Sequence, residues 1–119
     1  RFLAGHLDPT LLRYAVAACG TTGGVDGLAV SHLDRLDAGV AQYATAYDTD
    51  EGVISDVALG QWRDLDHQQR LTDRLRNARP RLAPAPQRPD LFTGLVADQL
   101  GVPVVSVAAG PGRTDRRPA

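Results

Sequence analysis

Ser31, His32, Asp34 and Asp37 stand close together at the end of a short apolar run, Gly27-Leu28-Ala29-Val30. The run reads as a buried strand over residues 28–32, and in an open α/β sheet ligands sit at the carboxyl ends of the strands. Polar side chains delivered there are candidate binding groups. A carboxylate such as Asp34 can accept two parallel hydrogen bonds from an amidine-like edge, and guanine presents one through its N1 and N2 donors. A second polar end follows the run Val102-Pro103-Val104-Val105-Ser106-Val107-Ala108, where the glycines of Ala109-Gly110-Pro111-Gly112-Arg113 expose backbone amides. Those amides could meet a base carbonyl oxygen while His32 lies against the ring face. Asp34 is equally suited to cap a short turn beginning at Arg35, and spacing alone leaves both roles open.

Other chemistries fit less well. Ser31, His32 and Asp34 are the residue types of a hydrolytic triad, but neighbours on a strand alternate faces and cannot form the needed hydrogen-bond chain. His6, His32 and His67 lie on separate elements without ligand spacing, so no metal site is expected. Cys19 is the single cysteine and reads as a small buried hydrophobe, which excludes an internal disulfide. The acids of Asp48-Thr49-Asp50-Glu51-Gly52 open like a calcium loop but lack its remaining ligands, and a hairpin turn is the better reading. Thr21-Thr22-Gly23-Gly24-Val25-Asp26-Gly27 resembles a phosphate loop in composition only. Such a loop leaves a strand and enters a helix, whereas here a helix comes first.

The elements that must position these groups are legible from local punctuation. Asp8 as N-cap, Pro9 in the first turn and Gly20 as a left-handed terminus delimit a helix over residues 8–20, with Leu11, Leu12, Ala15, Val16 and Cys19 on one face. Residues 40–47 and 53–59 read as antiparallel strands joined by the acidic turn. Residues 64–78 form a polar helix with Leu65, Leu71, Leu75 and Ala78 as its apolar side, and Trp62 anchors it to the hairpin. Four prolines make residues 79–90 an extended linker. Asp90 caps a helix over residues 91–100, closed by Gly101, with Leu95, Val96 and Leu100 facing inward. The β-branched run after it suits a strand covered on both faces, and residues 114–119 read as a frayed tail. Two strands, each arriving from a helix, predict a parallel pair whose ends share a rim. The fold class is therefore α/β: a partial sheet with parallel strands flanked by helices, plus a β-hairpin.

At 119 residues, 43% hydrophobic and with a net charge of −1, the chain fits one small domain, and its charge offers no nucleic-acid or membrane surface. The Arg-rich helix is compensated by Asp66 and Asp73, against the one-signed patch that nucleic acid requires. No apolar run approaches the roughly 18 residues of a membrane span. The default compartment is cytoplasmic. All 13 basic residues are arginine, methionine is absent, and the opening Arg1-Phe2-Leu3 predicts a fragment or a processed product.

Four blocks carry a family resemblance: Asp8-Pro9-Thr10-Leu11-Leu12-Arg13-Tyr14-Ala15-Val16, then residues 27–37, then Gly101-Val102-Pro103-Val104, then Ala109-Gly110-Pro111-Gly112-Arg113-Thr114. In order and approximate spacing they resemble the C-terminal part of adenylosuccinate synthetase, nearly end to end and least between residues 48 and 90. The resemblance implies the C-terminal part of a P-loop-like synthetase fold over residues 1–119, with 79–90 a linker within it. It implies a purine-biosynthesis ligase that joins L-aspartate to IMP with GTP and magnesium through a 6-phosphoryl-IMP intermediate, and a homodimer when full length.

Residue by residue, the family's Thr-Lys-Leu-Asp guanine motif falls on Ser31-His32-Leu33-Asp34. Asp34 would read the guanine edge, and His32 replaces the lysine beside the base. The family's Ser-x-Gly-Pro turn falls on Ala108-Ala109-Gly110-Pro111, which keeps the backbone of Gly110 and Pro111 and loses the serine hydroxyl at Ala108. Arg1 would belong to the arginine-rich loop that handles substrates, where Phe2 and Leu3 depart from its arginines and His6 stands for a tryptophan. Nothing matches the family's Gly-Asp-Glu-Gly-Lys phosphate loop or supplies its catalytic aspartate and histidine. No catalytic residue and no metal ligand is therefore expected within this sequence, and the segment alone is expected to be inactive. The departures leave open a relative acting on another purine monophosphate, as in viral members, or a non-catalytic nucleotide-binding remnant.

Overall fold

The computed structural model describes residues 5–20, 24–38, 41–61 and 63–119. In chain order they form α1 (Pro9–Cys19), β1 (Leu28–Val30), a 3₁₀ helix (Leu33–Ala38), β2 (Gln42–Thr49), β3 (Gly52–Ile54), α2 (Leu65–Arg76), β4 (Arg79–Pro84), α3 (Pro89–Leu100), β5 (Val104–Ala108), a single 3₁₀ turn (Arg113–Asp115) and β6 (Arg116–Pro118). The architecture is α/β with two three-stranded sheets, one ordered β1-β5-β6 and the other β3-β2-β4.

The first sheet contains the expected parallel pair. Leu28 lies opposite Val104, Ala29 opposite Ser106 and Val30 opposite Val107, with a register irregularity after Leu28. β1 is shorter than its apolar run suggested, ending at Val30, and only half-buried. Beyond it the chain turns through His32, at φ 63, into the 3₁₀ helix. Residues three apart eclipse each other in such a helix, so Leu33 and Leu36 point the same way. Both are almost fully buried and pack with Val107 to form a core cluster, joined at its margin by Val30, Ala41, Phe92 and Val104. This leucine pair pins the segment to the sheet and turns Asp34, Arg35 and Asp37 outward.

β5 runs through the middle of this sheet because β6 pairs antiparallel along its other side, Ala108 opposite Arg116 and Ser106 opposite Pro118. The expected frayed tail is thus a paired strand. Its residues are all exposed, so it carries no apolar signal, and the open edge of β5 supplies the reason to pair. Covering on both faces is not realised either, since Val105 stays 55% exposed. Gly27 approaches that side chain closely: a Cβ there would stand 2.8 Å from a Val105 methyl.

The second sheet begins with the predicted hairpin. Tyr47 pairs with Ile54 and Thr49 with Gly52 around a tight turn, where the Thr49 hydroxyl donates to the Gly52 carbonyl and accepts from the Glu51 amide. The expected start at Val40 lies outside the described residues, and the returning strand is only three residues long. Residues 79–84, expected as linker, instead pair with β2 along most of its length. Pro80 and Pro84 are tolerated because β4 is an edge strand, where a missing amide costs no ladder bond on the outer side.

Of the predicted caps, Asp8 and Gly101 are kept and Gly20 and Asp90 are not. Asp8 accepts the Leu11 amide at 3.0 Å and Asp64 accepts the His67 amide at 3.0 Å. Gly101 takes the left-handed conformation at φ 66 and donates to the Ala97 carbonyl. Gly20 does not: it is right-handed helical, and the positive φ falls at Gly24, whose amide closes back on the Cys19 carbonyl. Leu11, Leu12, Ala15 and Cys19 are exposed, against the expectation of a buried face, while Pro9 and Thr10 are the residues α1 buries completely. α3 starts two residues earlier than expected, with Arg88 at the cap in place of Asp90, which lies inside the first turn and is bonded to Arg88 at 2.7 Å. On α2, Leu65 is 78% exposed and His67 takes its place on the inner side above Leu71, Leu75 and Ala78. Trp62 lies outside the described residues.

Polar ties hold the two sheets' surroundings together. Leu7 bridges to Tyr43, and the second carboxylate oxygen of Asp8 accepts from the Tyr47 hydroxyl, fastening the start of α1 to β2. Arg13 donates to Asp56 at 2.8 Å, to Gln99 on α3 at 2.9 Å and to the Ser55 carbonyl at 2.6 Å.

Candidate nucleobase cleft at the parallel strand ends

The carboxyl ends of β1 and β5, neighbours in a parallel pair, open on one cleft of about 550 Å³. That size falls within the roughly 300–1,000 Å³ typical of small-molecule sites. Ser31, His32, Asp34 and Arg35 line it from the β1 side, and Ala108, Gly110, Pro111, Gly112, Arg113 and Arg116 from the β5 side. His32, Asp34, Ala108, Gly110 and Pro111, named from sequence on two distant stretches, therefore share one cavity. Arg1 lies outside the described residues.

On the β1 side, each position follows from the core. Leu33 is 4% exposed and Leu36 5%, so the backbone carrying His32 and Asp34 is held from beneath. His32 occupies left-handed backbone, which non-glycine residues adopt at some cost and which recurs at functional positions. Its Nδ1 lies 2.9 Å from the Ser31 hydroxyl, a contact that restrains the ring. The amide of Arg35 closes the turn by donating to the His32 carbonyl at 2.9 Å. Asp34 sits within the 3₁₀ helix, and among the described residues its carboxylate accepts no backbone amide; its one charge partner is the Arg35 guanidinium at 3.8 Å. Its side chain is 41% exposed. The capping role open to Asp34 on sequence grounds is thus not used, and its acceptor oxygens face the cleft.

On the β5 side the glycine turn is wound around Asp115. Its carboxylate accepts the Gly112 amide at 2.7 Å, its carbonyl accepts the Ala109 amide at 3.2 Å, and its own amide donates to the Gly112 carbonyl at 3.1 Å. The packing is tight enough to require glycine. A Cβ at Gly110 would stand 2.6 Å from the Asp115 Oδ2, and one at Gly112 would stand 2.7 Å from it. Pro111 has no amide, so among positions 109–112 the Gly110 N–H is the donor left without a partner among the described residues. Asp115, Arg35, Arg113 and Arg116 were not singled out from sequence. Arg116 reaches the cleft through β6, where it stands opposite Ala108, and that pairing leaves no trace in local composition.

Chemically the cleft offers the Asp34 carboxylate, the His32 imidazole and the Arg35 guanidinium on one side, and the Gly110 amide with the Arg113 and Arg116 guanidinium groups on the other. A carboxylate can pair with two adjacent ring donors, and an amide with a ring carbonyl oxygen. Among the described residues no three His, Cys, Asp or Glu side chains converge to hold a metal ion, and no helix is long and apolar enough to cross a membrane.

No family model matches the chain. Adenylosuccinate synthetase from the archaeon Natronomonas pharaonis is 31% identical to it over 121 aligned residues, covering 93% of this chain and 25% of that protein. The chain spans about a quarter of the length of the curated relative it matches.

Proposed function

We propose that the chain is the guanine-reading segment of a purine-nucleotide ligase of the adenylosuccinate synthetase type, its sheet being the C-terminal part of a P-loop-like synthetase fold. One observation carries this reading: the ends of β1 and β5 bring Asp34, His32 and the Gly110 turn to a single cleft. The similarity to the archaeal synthetase across 93% of the chain supports it.

In this reading Asp34 accepts the N1–H and N2–H of guanine, and the Gly110 amide donates to O6. Adenine, with an acceptor at N1 and no carbonyl, would leave both unpaired, and a buried polar group without its partner costs about 1–3 kcal/mol. His32 lies along the ring face, held by Ser31. The whole ligase would join L-aspartate to IMP with GTP, and magnesium would enter with the nucleotide phosphates. This chain contributes recognition: it has no lysine, no phosphate loop and no converging metal ligands among the described residues. Purified chain mixed with GTP, IMP, aspartate and magnesium is accordingly expected to form no adenylosuccinate.

The test is calorimetric titration of GTP into the wild-type chain and the Asp34→Asn variant. Loss of the carboxylate is expected to weaken binding by about 1.5–3 kcal/mol, the range for a hydrogen bond to a charged group, with stability unchanged because Asp34 faces solvent. Equal affinity in the two proteins would overturn the assignment.

A further inference from the structure

Arg116 enters the cleft by way of the β5–β6 ladder, where it stands directly opposite Ala108. Residues opposed in an antiparallel pair put their side chains on the same face, with Cβ atoms about 4.5–5.5 Å apart, and successive residues of a strand point to opposite faces. β6 obeys both rules: Arg116 lines the cleft together with Ala108, while Arg117 lines a separate cavity together with its own partner, Val107. Backbone register thus delivers the Arg116 guanidinium to the cleft, and Ala108 offers only a methyl group beside it. The other two cleft arginines are placed differently. Arg35 already faces Asp34 at 3.8 Å, and Arg113 stands in the 3₁₀ turn, off the ladder.

Asp34 and Arg116 belong to opposite sides of the cavity. A guanine whose N1 and N2 donors meet Asp34 has two acceptors left on its other edge, O6 and N7. The carbonyl oxygen has two lone pairs, of which the Gly110 amide would take one. That single amide leaves N7 without a donor. A planar guanidinium presents two parallel N–H groups that match O6 and N7 at once, the commonest specific contact to guanine in nucleic-acid recognition.

We propose that Arg116 is a specificity-determining residue of the cleft, its guanidinium donating to O6 and N7 of the guanine that Asp34 holds through N1 and N2. The inference rests on the guanine reading above and adds a reader for the second edge of the base. It concerns the base alone and makes no use of phosphates on the ligand.

The experiment is calorimetric titration of the 119-residue chain with guanosine, with 7-deazaguanosine, in which a C–H replaces N7, and with inosine, which lacks the 2-amino group. The wild type is expected to bind 7-deazaguanosine about fivefold or more weakly than guanosine, and Arg116→Ala to bind guanosine about tenfold more weakly than the wild type does. In Arg116→Ala the two nucleosides should bind alike, and Arg116→Lys, which has no fork, should recover guanosine affinity only in part. Arg117→Ala, on the same strand but facing the other cavity, should leave all three affinities unchanged. Equal binding of guanosine and 7-deazaguanosine by the wild type, with inosine weaker, would overturn the role of Arg116 and leave the Asp34 reading standing. An equal loss of both nucleosides in Arg116→Ala would make Arg116 a support of the strand and overturn its role as a reader. Inosine bound as tightly as guanosine, or no nucleoside bound at all, would overturn the guanine reading and this inference with it.

Discussion

The two sheets are held by different physics. Around β1-β5-β6 the organising contact is apolar, with Leu33, Leu36 and Val107 closed over each other and Phe92 of α3 at their side. Around β3-β2-β4 the fastenings are polar: Asp8 to Tyr47, Arg81 to Asp48 and Arg74 to Glu51. Ala44 is the one buried hydrophobic residue on its strands. The sheet that carries the cleft is therefore positioned by packing, which is insensitive to salt and pH. The sheet away from it is positioned by groups that titrate and are screened. The residues of the cleft sit where the backbone is fixed by non-polar contact, and the polar half can vary with less consequence for them.

The sharpest way to test this contrast is to remove the apolar peg. Leu33→Ala is expected to destabilise the chain by about 2–4 kcal/mol, the range for a large side chain deleted from a core, and to abolish GTP binding even where residual fold persists. Denaturant unfolding monitored by circular dichroism, alongside calorimetry, would measure both. A loss below about 1 kcal/mol would place the support of the cleft elsewhere.

A smaller effect is expected in the polar half at alkaline pH. Burial, and then the hydrogen bond and charge of Asp8, push the Tyr47 hydroxyl up from 10.0 to about 12. The folded state thus holds this proton more tightly than the unfolded chain. The stabilisation is complete below pH 10 and is lost as pH rises from 10 towards 12, where the unfolded state gives up its proton first. Denaturation midpoints should fall across that window in the wild type, and the fall should be reduced in Tyr47→Phe. An identical pH profile in both would show that Tyr47 does not couple the helix to the sheet.

The smallest effect belongs to Asp48. The Arg81 hydrogen bond holds its carboxyl below the usual range, so the stabilisation is present at neutral pH and fades as pH falls through the carboxylate region. Both side chains are about half exposed, 55% and 50%, and salt should screen the pair. Arg81→Ala is expected to lower stability slightly at neutral pH and to flatten its fall towards acid at low salt, and to do neither in molar salt. GTP affinity should stay unchanged throughout; a change would mean that the two sheets are less independent than their contacts imply.

Legibility from sequence divides along the same line. Several local signals survived: Asp8 caps its helix, Gly101 is left-handed, and the β-branched run after it is a strand parallel to the one ending at Val30. The cleft residues 32, 34, 108, 110 and 111 were legible because motifs on both strand ends are intact enough to align with a family pattern. What escaped depends on partners. β4 was hidden by prolines that an edge position excuses, and β6 by an all-polar tripeptide that pairs only because β5 has an open side. With β6 went Arg116, and with the turn it completes went Asp115, since neither residue type carries meaning without its neighbour across the ladder. Helix α1 erred in the other direction: its apolar spacing promised a buried face, yet Leu11, Leu12 and Cys19 remain at the surface.

The 3₁₀ helix has one further consequence, for how this chain can change over generations. Core leucines and cleft side chains alternate within a few residues, and each residue of such a helix advances the side-chain direction by about 120°. Deleting or inserting a single residue between His32 and Leu36 would rotate a charged group into the core and a leucine into the cleft. Substitutions at Ser31, His32 or Arg35 keep the phase and change only what the cleft presents. Length is the invariant here and side-chain identity the variable, so relatives sharing the cleft should differ in letters across this stretch and never in count.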